Sequence, residues 1–296
     1  MAKKTLLICD LDNTLYDWVR YFVPSFYAMI DTAVEIMRCD RETLLDDFRS
    51  VHQKYHDSEH PYSLLETETV KRRYQGQAPE AVALVLDPAF HAFNSARKRN
   101  LHLHVGVIET LDLLKNSGVV LIAHTESRFY AAADRLIRLK LFPYFSRVYC
   151  RERSISSRPG LWGGEHRRDW APSEKIRELQ EHESKPDPAI LHEICAYEKL
   201  PIEVAAYVGD SLSKDVLMAK RCGMFSIWAA YGAEHDPSTY AALVRISHWT
   251  PDDVERERRF KEEAASVEPN FVARWSFREV LDALEIDVHP QHVARA

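Results

Sequence analysis

Short apolar segments alternate with helical segments from about residue 105 onward, and this alternation constrains the fold more than any other feature. The apolar segments are VVLIAHT at 119–125, SRVYC at 146–150, VAAYVGDS at 204–211 and FSIWAA at 225–230. Among them lie RFYAAADRLIRLKLF, AILHEICAYEKL and SKDVLMAKRCGM, whose apolar residues recur at helical spacing. A further helix is expected to end at Gly118, which suits a helix C-cap. These repeated strand–helix units predict an α/β fold, an open parallel sheet with helices on both faces.

A long helical stretch separates the first strand from this alternating region. TLLICDL at residues 5–11 is a nearly continuous apolar run, as expected of a parallel strand buried on both faces. From about residue 18 to residue 99 the apolar residues follow three- and four-residue steps, and three prolines divide the stretch into about four helices. We therefore predict two domains. An α/β domain comprises residues 1–16 and 103–296, and an all-helical domain of residues 17–102 is inserted into it.

Residues 151–184 interrupt the alternation. They hold three of the nine glycines and two of the six tryptophans, Trp162 and Trp170. We interpret them as an irregular surface excursion that ends in a short helix from Ser173 to His182. Its tryptophans could pack on the α/β domain itself, or they could dock on the helical domain or on a second subunit.

Composition excludes several classes of protein. A formal net charge of −6 disfavours a nucleic-acid binder, which needs a concentrated basic face. The five cysteines are scattered without CxxC spacing, which predicts free thiols in a reducing compartment. The N-terminal apolar run is too short for a signal peptide, and no apolar stretch approaches a membrane span. We expect a soluble, cytoplasmic monomer or homodimer without nucleic-acid or membrane partners.

Two carboxylates, Asp10 and Asp12, follow the first strand directly. Ligands of open α/β sheets bind beyond the carboxyl ends of the strands, and residues two apart in an extended segment point the same way. A pair of hard oxygen ligands suits Mg²⁺. A metal-bound carboxylate can remain an ionised nucleophile, while a neighbouring carboxyl group that is pushed toward protonation can act as a general acid.

Polar residues at other strand and helix ends fit the same site. Thr125 follows a strand, where its hydroxyl and nearby backbone N–H groups could hold phosphate oxygens. Lys185 precedes a proline-containing helix start and offers a point charge for a phosphate or a carboxylate. Asp210 ends another strand and would complete the metal site, and Asp215 lies about one helical turn beyond it.

Together these residues resemble the four motifs of the haloacid dehalogenase-like superfamily. In chain order the motifs are Asp10-Leu11-Asp12-Asn13-Thr14, then Thr125, then Lys185, and then Gly209-Asp210 with Asp215. The resemblance covers about residues 4–16 and 103–232. It implies a Rossmann-like sheet, and it identifies the inserted helices as an α-helical cap that closes over the site and selects the substrate.

The resemblance also implies a role for each matching residue. Asp10 would attack phosphorus and form an aspartyl-phosphate, and Asp12 would protonate the leaving oxygen and later activate water. Thr125 and Lys185 would bind the phosphoryl group. Mg²⁺ would be held by Asp10, by the backbone carbonyl of Asp12 and by Asp210.

Asp215 and Glu126 also lie within the motifs. Asp215 would steady Lys185 or a metal-bound water. Glu126 stands where many relatives carry a small residue, and we expect it to point to solvent or to cap the following helix. If it pointed inward, it would weaken anion binding or contact a substrate amine or hydroxyl.

The predicted function is a Mg²⁺-dependent phosphatase acting on a small phosphorylated metabolite. A phosphomutase would keep the same four motifs. A 2-haloacid dehalogenase would use the same nucleophile, but a halide leaving group needs neither the proton of Asp12 nor a metal. A non-catalytic binder of phosphorylated ligands would not need Asp12 either. The sequence does not distinguish among nucleoside monophosphates, phosphoglycolate, sugar phosphates and flavin mononucleotide as substrates.

Overall fold

The computed structural model describes residues 3–60, 62–152, 173–180 and 182–286. Within these residues the centre of the molecule is a parallel sheet of seven strands in the order β4-β3-β2-β1-β5-β6-β7. The strands are β1 (Leu6–Cys9), β2 (Val120–Arg128), β3 (Arg147–Arg151), β4 (Ile176–Leu179), β5 (Ala205–Gly209), β6 (Phe225–Ala229) and β7 (Phe271–Ala273). The predicted α/β fold with an open parallel sheet is confirmed.

Strand β1 lies at the centre of the sheet and pairs along its whole length with β2 and with β5. Its residues are fully buried, with Leu7 and Cys9 in the core on one face and Leu6 and Ile8 in the core on the other. From β1 the chain proceeds outward to β4 and then restarts at β5 on the opposite side. This reversal opens a crevice beyond the carboxyl ends of β1 and β5, where ligands of such sheets bind.

A helical insertion, residues 18–100, separates β1 from the rest of the sheet. Its helices are α1 (Trp18–Met37), α2 (Arg41–Tyr55), α3 (Ser63–Glu66), α4 (Glu68–Arg73), α5 (Pro79–Val85) and α6 (Asp87–Asn100). The side chains of Asp17 and Asp40 cap α1 and α2 by accepting a hydrogen bond from the first-turn backbone. Phe26 and Phe48 meet edge to face between these two helices, with ring centroids 4.9 Å apart. The region is helical as predicted, but it holds six described helices rather than about four.

The remaining described helices flank the sheet or follow it. They are α7 (Val107–Asn116), α8 (Phe129–Arg138), α9 (Ala189–Glu198), α10 (Leu217–Arg221), α11 (Ala230–Ala233), α12 (Pro237–Ile246), α13 (Pro251–Ala264) and α14 (Val280–Ala283). Gly118 takes a φ of +77° just after α7, in agreement with its predicted role at the helix end. Among the described residues, no helix has the length and apolar character that a membrane crossing requires.

Helices α12 and α13, which we call the C-terminal helical pair, lie between β6 and β7 and were not predicted. Asp236 caps α12, and Thr250 forms a capping box with Asp253 at the start of α13. The pair contacts the helical insertion: the hydroxyl of Tyr27 donates to the carbonyl of Ala242 at 3.0 Å. These contacts join the insertion to the sheet side of the molecule.

The predicted helix from Ser173 to His182 is wrong. After a short helical turn at Ser173–Lys175 the chain forms β4, which pairs with β3 at the edge of the sheet. An edge strand tolerates charged residues, and Arg177 in β4 is held by the carboxylates of Glu183 and Glu193. The charge-rich composition therefore gave the appearance of an exposed helix. Trp162 and Trp170 lie outside the described residues, so their predicted docking stays a prediction.

Candidate active site

The loop after β1 carries the first two carboxylates. The backbone N–H of Asp10 donates to the carbonyl of Val208 at 2.9 Å, which extends the pairing with β5 by one residue. Thr14 donates its hydroxyl to Oδ2 of Asp10 at 3.1 Å. Gly232 packs against this loop so closely that an added Cβ would lie 1.8 Å from the carbonyl oxygen of Asn13. The position of Asp10 is therefore fixed by the sheet and by the helix after β6.

Lys185 reaches this loop from the far side of the crevice. Its buried Nζ donates to Oδ1 of Asp10 at 2.5 Å and to Oδ1 of Asp215 at 2.7 Å. Burial by itself would lower the pKa of Lys185, but the two carboxylates raise this pKa well above its usual range. Asp215 is held in turn by the backbone N–H of Ser211 at 3.0 Å. The lysine is thus a fixed positive charge between two carboxylates.

Asp10, Asp210 and Asp215 form an acidic cluster, with one oxygen of each within 4.8 Å of the others. Burial, opposed by Lys185 and reinforced by Asp215 and Asp12, raises the pKa of Asp10 to about 7. Burial and the nearby Asp10 raise the pKa of Asp210 well above its usual range. One lysine does not neutralise the charge of three carboxylates. Because divalent cations such as Mg²⁺ prefer oxygen ligands, the cluster suits such an ion.

The cluster contains two of the predicted metal ligands, Asp10 and Asp210. Asp12 was expected to contribute its backbone carbonyl and not its side chain, and this stays a prediction. The third carboxylate in the cluster is Asp215. The indole N–H of Trp228 donates to the backbone carbonyl of Asp210 at 2.8 Å and fixes the loop after β5.

The side chain of Asp12 lies among hydrogen-bond donors at the carboxyl end of β2. Thr125 and Ser127 donate their hydroxyls to its Oδ2 at 3.1 Å and 2.7 Å. Its Oδ1 lies 3.2 Å from Nη2 of Arg135, a fully buried residue of α8. The predicted phosphate ligand Thr125 therefore contacts Asp12, and the structure brings these two predicted residues together.

Glu126 lines the crevice, so the expectation that it points to solvent or caps a helix is wrong. Its Oε2 accepts a hydrogen bond from Nζ of Lys214 at 2.8 Å. Burial favours the neutral acid, but Lys214 and Lys185 lower the pKa of Glu126 to about 2. The carboxylate is thus ionised and already paired, which reduces its repulsion of an anion bound nearby.

The crevice is a cleft of about 520 Å³ with walls from three parts of the chain. The strand-end loops form its floor. The helical insertion contributes Asp57 and Glu59 to its wall, and the C-terminal helical pair and the loop before α13 contribute residues that include His248 and Arg256. Sequence patterns missed this wall, although the capping residues of α12 and α13 could have revealed the two helices.

Residues 4–223 match the family model of the haloacid dehalogenase-like hydrolases, and the chain belongs to this family. It is 27% identical over 236 residues to a glyceraldehyde 3-phosphate phosphatase of Methanopyrus kandleri, an alignment that covers 78% of this chain and 85% of the relative. The structure is similar to that of a 2-haloacid dehalogenase from Pseudomonas syringae pv. Tomato DC3000, with a TM-score of 0.55 and 19% identity over 95% of this chain and 98% of the other. That likeness shows a shared fold.

Proposed function

We propose that this protein is a Mg²⁺-dependent phosphatase that hydrolyses a small phosphorylated metabolite through an aspartyl-phosphate. The observation that carries the proposal is the ion pair between buried Asp10 and Lys185, in which Nζ of the lysine lies 2.5 Å from Oδ1 of the aspartate. Two further carboxylates lie beside this pair. A lone nucleophile for carbon–halogen cleavage would need no such excess of acidic groups. The similarity to a relative named as a phosphatase supports the same activity.

In the proposed reaction Asp10 attacks phosphorus while the bond to the leaving oxygen breaks. Asp12 gives that oxygen a proton, and the resulting carboxylate then takes a proton from the water that hydrolyses the aspartyl-phosphate. The hydroxyl of Thr125 and the ammonium of Lys185 hold the phosphoryl oxygens. The products are inorganic phosphate and an alcohol, and Asp12 regains its proton.

The acidic cluster fits the proposed Mg²⁺ site, since its donors are all oxygen and its charge exceeds that of the one lysine beside it. Asp10 and Asp210 would hold the ion with the backbone carbonyl of Asp12, while Asp215 steadies Lys185. When bound, the ion supplies positive charge that offsets the charge of the phosphoryl group.

We propose that residues 17–102 form a cap domain over an α/β domain of residues 1–16 and 103–296. The insertion contributes Asp57 and Glu59 to the wall of the cleft, which is the position from which a cap would select substrates. We also propose that the protein is located in the cytoplasm. The five cysteines are free thiols, as a reducing compartment allows.

The decisive experiment measures phosphate release from a panel of metabolites with Mg²⁺ and with EDTA. The panel comprises glyceraldehyde 3-phosphate, phosphoglycolate, sugar phosphates, nucleoside monophosphates and flavin mononucleotide. We expect Mg²⁺-dependent release, and we expect Asp10→Asn to reduce it by more than about a hundredfold because the amide is not a nucleophile. Asp40→Asn, at the cap of α2, is the matched control and should keep its activity.

The same reactions distinguish the alternatives. Transfer of phosphate within a sugar phosphate, without net release, would indicate a mutase. Halide release from a 2-haloacid in EDTA would indicate a dehalogenase. Binding of a phosphorylated ligand without turnover would reject the enzyme altogether.

A further inference from the structure

Arg135 is the largest fully buried side chain of the described residues, and all of its nitrogen atoms have partners. Its Nε donates to the hydroxyl of Tyr16 at 2.9 Å, and its Nη2 donates to the hydroxyl of Ser127 at 2.6 Å. Its Nη1 donates to both carboxylate oxygens of Glu59, at 2.7 Å and 2.9 Å. Its Nη2 also lies 3.2 Å from Oδ1 of Asp12.

A buried guanidinium requires compensating charge, and here two carboxylates supply it, one at each terminal nitrogen. Asp12 belongs to the loop after β1, whereas Glu59 belongs to the helical insertion. Trp18 donates its indole N–H to Oε2 of Glu59 at 3.2 Å, which fixes the orientation of that carboxylate. The rigid, planar guanidinium of Arg135 therefore bridges the carboxylates of Asp12 and Glu59.

The contacts of Asp12 connect Arg135 to the proposed reaction. Its Oδ2 is held by Thr125 and Ser127, and Ser127 is itself held by Arg135. Arg135 thus reaches both oxygens of Asp12: its guanidinium lies at ion-pair distance from Oδ1 without a hydrogen bond to it, and it supports Oδ2 through the hydroxyl of Ser127.

We propose that Arg135 is the positioning residue for Asp12, and that Glu59 locks Arg135 in place only when the helical insertion is docked on the sheet side. Docking of the insertion then completes the alignment of the acid that protonates the leaving group. The inference rests on the proposed role of Asp12 as general acid. It assigns to Glu59 and Arg135 an effect on leaving-group protonation and none on the attack by Asp10.

The structure offers a matched control for this contact. Arg97 of α6 donates to Asp134 of α8 at 2.6 Å, so it also joins the helical insertion to α8, one residue away from Arg135. Neither Arg97 nor Asp134 contacts Asp12. Arg97→Gln therefore removes a comparable link between insertion and sheet while leaving the support of the acid intact.

The test compares two leaving groups in the full-length protein with Mg²⁺. Values of kcat/KM are measured for glyceraldehyde 3-phosphate, whose alkoxide needs a proton, and for p-nitrophenyl phosphate, whose phenolate hardly does. We expect Glu59→Gln and Arg135→Lys to reduce kcat/KM at least about tenfold for the alkyl ester and less than about threefold for the aryl ester. The loss should lie in kcat rather than KM. Arg97→Gln should change both substrates equally.

Equal losses on both substrates in Glu59→Gln and Arg135→Lys would overturn the proposal. Selective loss in Arg135→Lys alone would overturn the role of Glu59 and of docking. If Arg135→Lys does not fold, as judged by circular dichroism, Trp18→Phe replaces it, since it removes the indole donor that orients Glu59. Asp12→Asn is measured alongside. If it reduces kcat/KM equally for both substrates, the proposed role of Asp12 as general acid is wrong. If Asp12→Asn shows the selective loss for the alkyl ester and the other variants do not, only the present inference is rejected.

Discussion

Gly209 ends β5 at a point where another side chain occupies the space that a Cβ would need. An added Cβ would lie 2.3 Å from Cγ and from Oδ2 of Asp215. The missing side chain is therefore what allows Asp215 to approach β5 and hold Lys185. The absence of a side chain at Gly209 is thus a steric requirement of the candidate active site.

We predict that Gly209→Ala displaces Asp215 and reduces kcat/KM by about tenfold to a hundredfold, because small misplacements of catalytic groups are costly. The overpacking should also destabilise the fold by about 1–3 kcal/mol. Steady-state kinetics of Gly209→Ala, Asp215→Ala and the double variant test the cause. If the effect acts through Asp215, the double variant should be no worse than Asp215→Ala, and strictly multiplicative losses would contradict this explanation.

The sequence could predict those site residues whose positions follow from topology. Asp10 and Asp210 lie just beyond the carboxyl ends of β1 and β5, and Thr125, predicted to follow its strand, lies inside the carboxyl-terminal half of β2. A correct prediction of the sheet therefore brings the three residues to one cleft. Arg135 lies within α8, where an arginine normally marks the exposed face of a helix. Its burial depends on Glu59, which is 76 residues away in the chain. No local pattern carries that information.

At the scale of elements, the adjacent strands β1 and β5 deliver two carboxylates to one point. Asp10 follows β1 directly and Asp210 follows β5. Burial raises the pKa of both, and nearby carboxylates raise them further: Asp215 and Asp12 act on Asp10, and Asp10 and Asp215 act on Asp210. The two strand ends are therefore electrostatically unfavourable neighbours without a cation. A bound divalent ion should stabilise this part of the sheet.

We predict that Mg²⁺ raises the melting temperature of the wild-type protein, since a ligand at a hundred times its Kd stabilises by about 2.7 kcal/mol. Asp210→Asn should abolish this shift. It should also melt above the wild type in EDTA, because the substitution relieves repulsion among the buried carboxylates. Thermal unfolding followed by circular dichroism, with and without Mg²⁺, gives both readouts. A Mg²⁺ shift of wild-type size in Asp210→Asn would place the ion elsewhere.

The predictions of individual elements failed where the composition of a segment did not reveal its position in the fold. Strand β4 is an edge strand whose residues are mostly half-buried, so its composition lacked the apolar run that revealed β1. Helices α12 and α13 carry clear capping residues, but nothing in their sequence indicated that they would line the cleft. Sequence spacing specifies an amphipathic element, and its partners come from the rest of the chain.

At the scale of the whole molecule, His52 links the helical insertion to the C-terminal helical pair. Its ring is fully buried in α2, and Nδ1 donates to the carbonyl of Ile246, the last residue of α12, at 2.7 Å. The other ring nitrogen is buried and has no hydrogen-bond partner among the described residues. Burial, opposed in part by the bond to Ile246, lowers the pKa of His52 to about 4.

This linkage predicts a pH-dependent stability. An unfolded histidine titrates near pH 6.5, so between pH 6.5 and 4 the unfolded chain binds more protons than the folded one. Above pH 6.5 the contribution of neutral His52 to the free energy of unfolding is fully present. This free energy falls as the pH decreases from 6.5 to 4, and the loss is about 2 kcal/mol at pH 5. Urea unfolding at pH 7.5 and pH 5 should show a smaller difference in His52→Gln than in the wild type. His102→Gln, at an exposed histidine, is the control, and identical pH dependence in all three proteins would contradict the prediction.

The central position of β1 has a consequence for the order in which the molecule forms. The strand leads the sheet in the chain, yet its neighbour β5 begins at residue 205 and the lysine that pairs with Asp10 is 175 residues away. At a synthesis rate of about 5–20 residues per second, β1 is synthesised about 10–40 s before β5. Both edges of this apolar strand are unpaired until β2 is made, and the edge that pairs with β5 stays unpaired for the whole interval. The helical insertion, which is rich in local contacts, can already fold during that time. The acidic crevice is then among the last features to form, because a chain stalled between residue 185 and β5 would carry Asp10 and Lys185 but would lack Asp210 and Asp215.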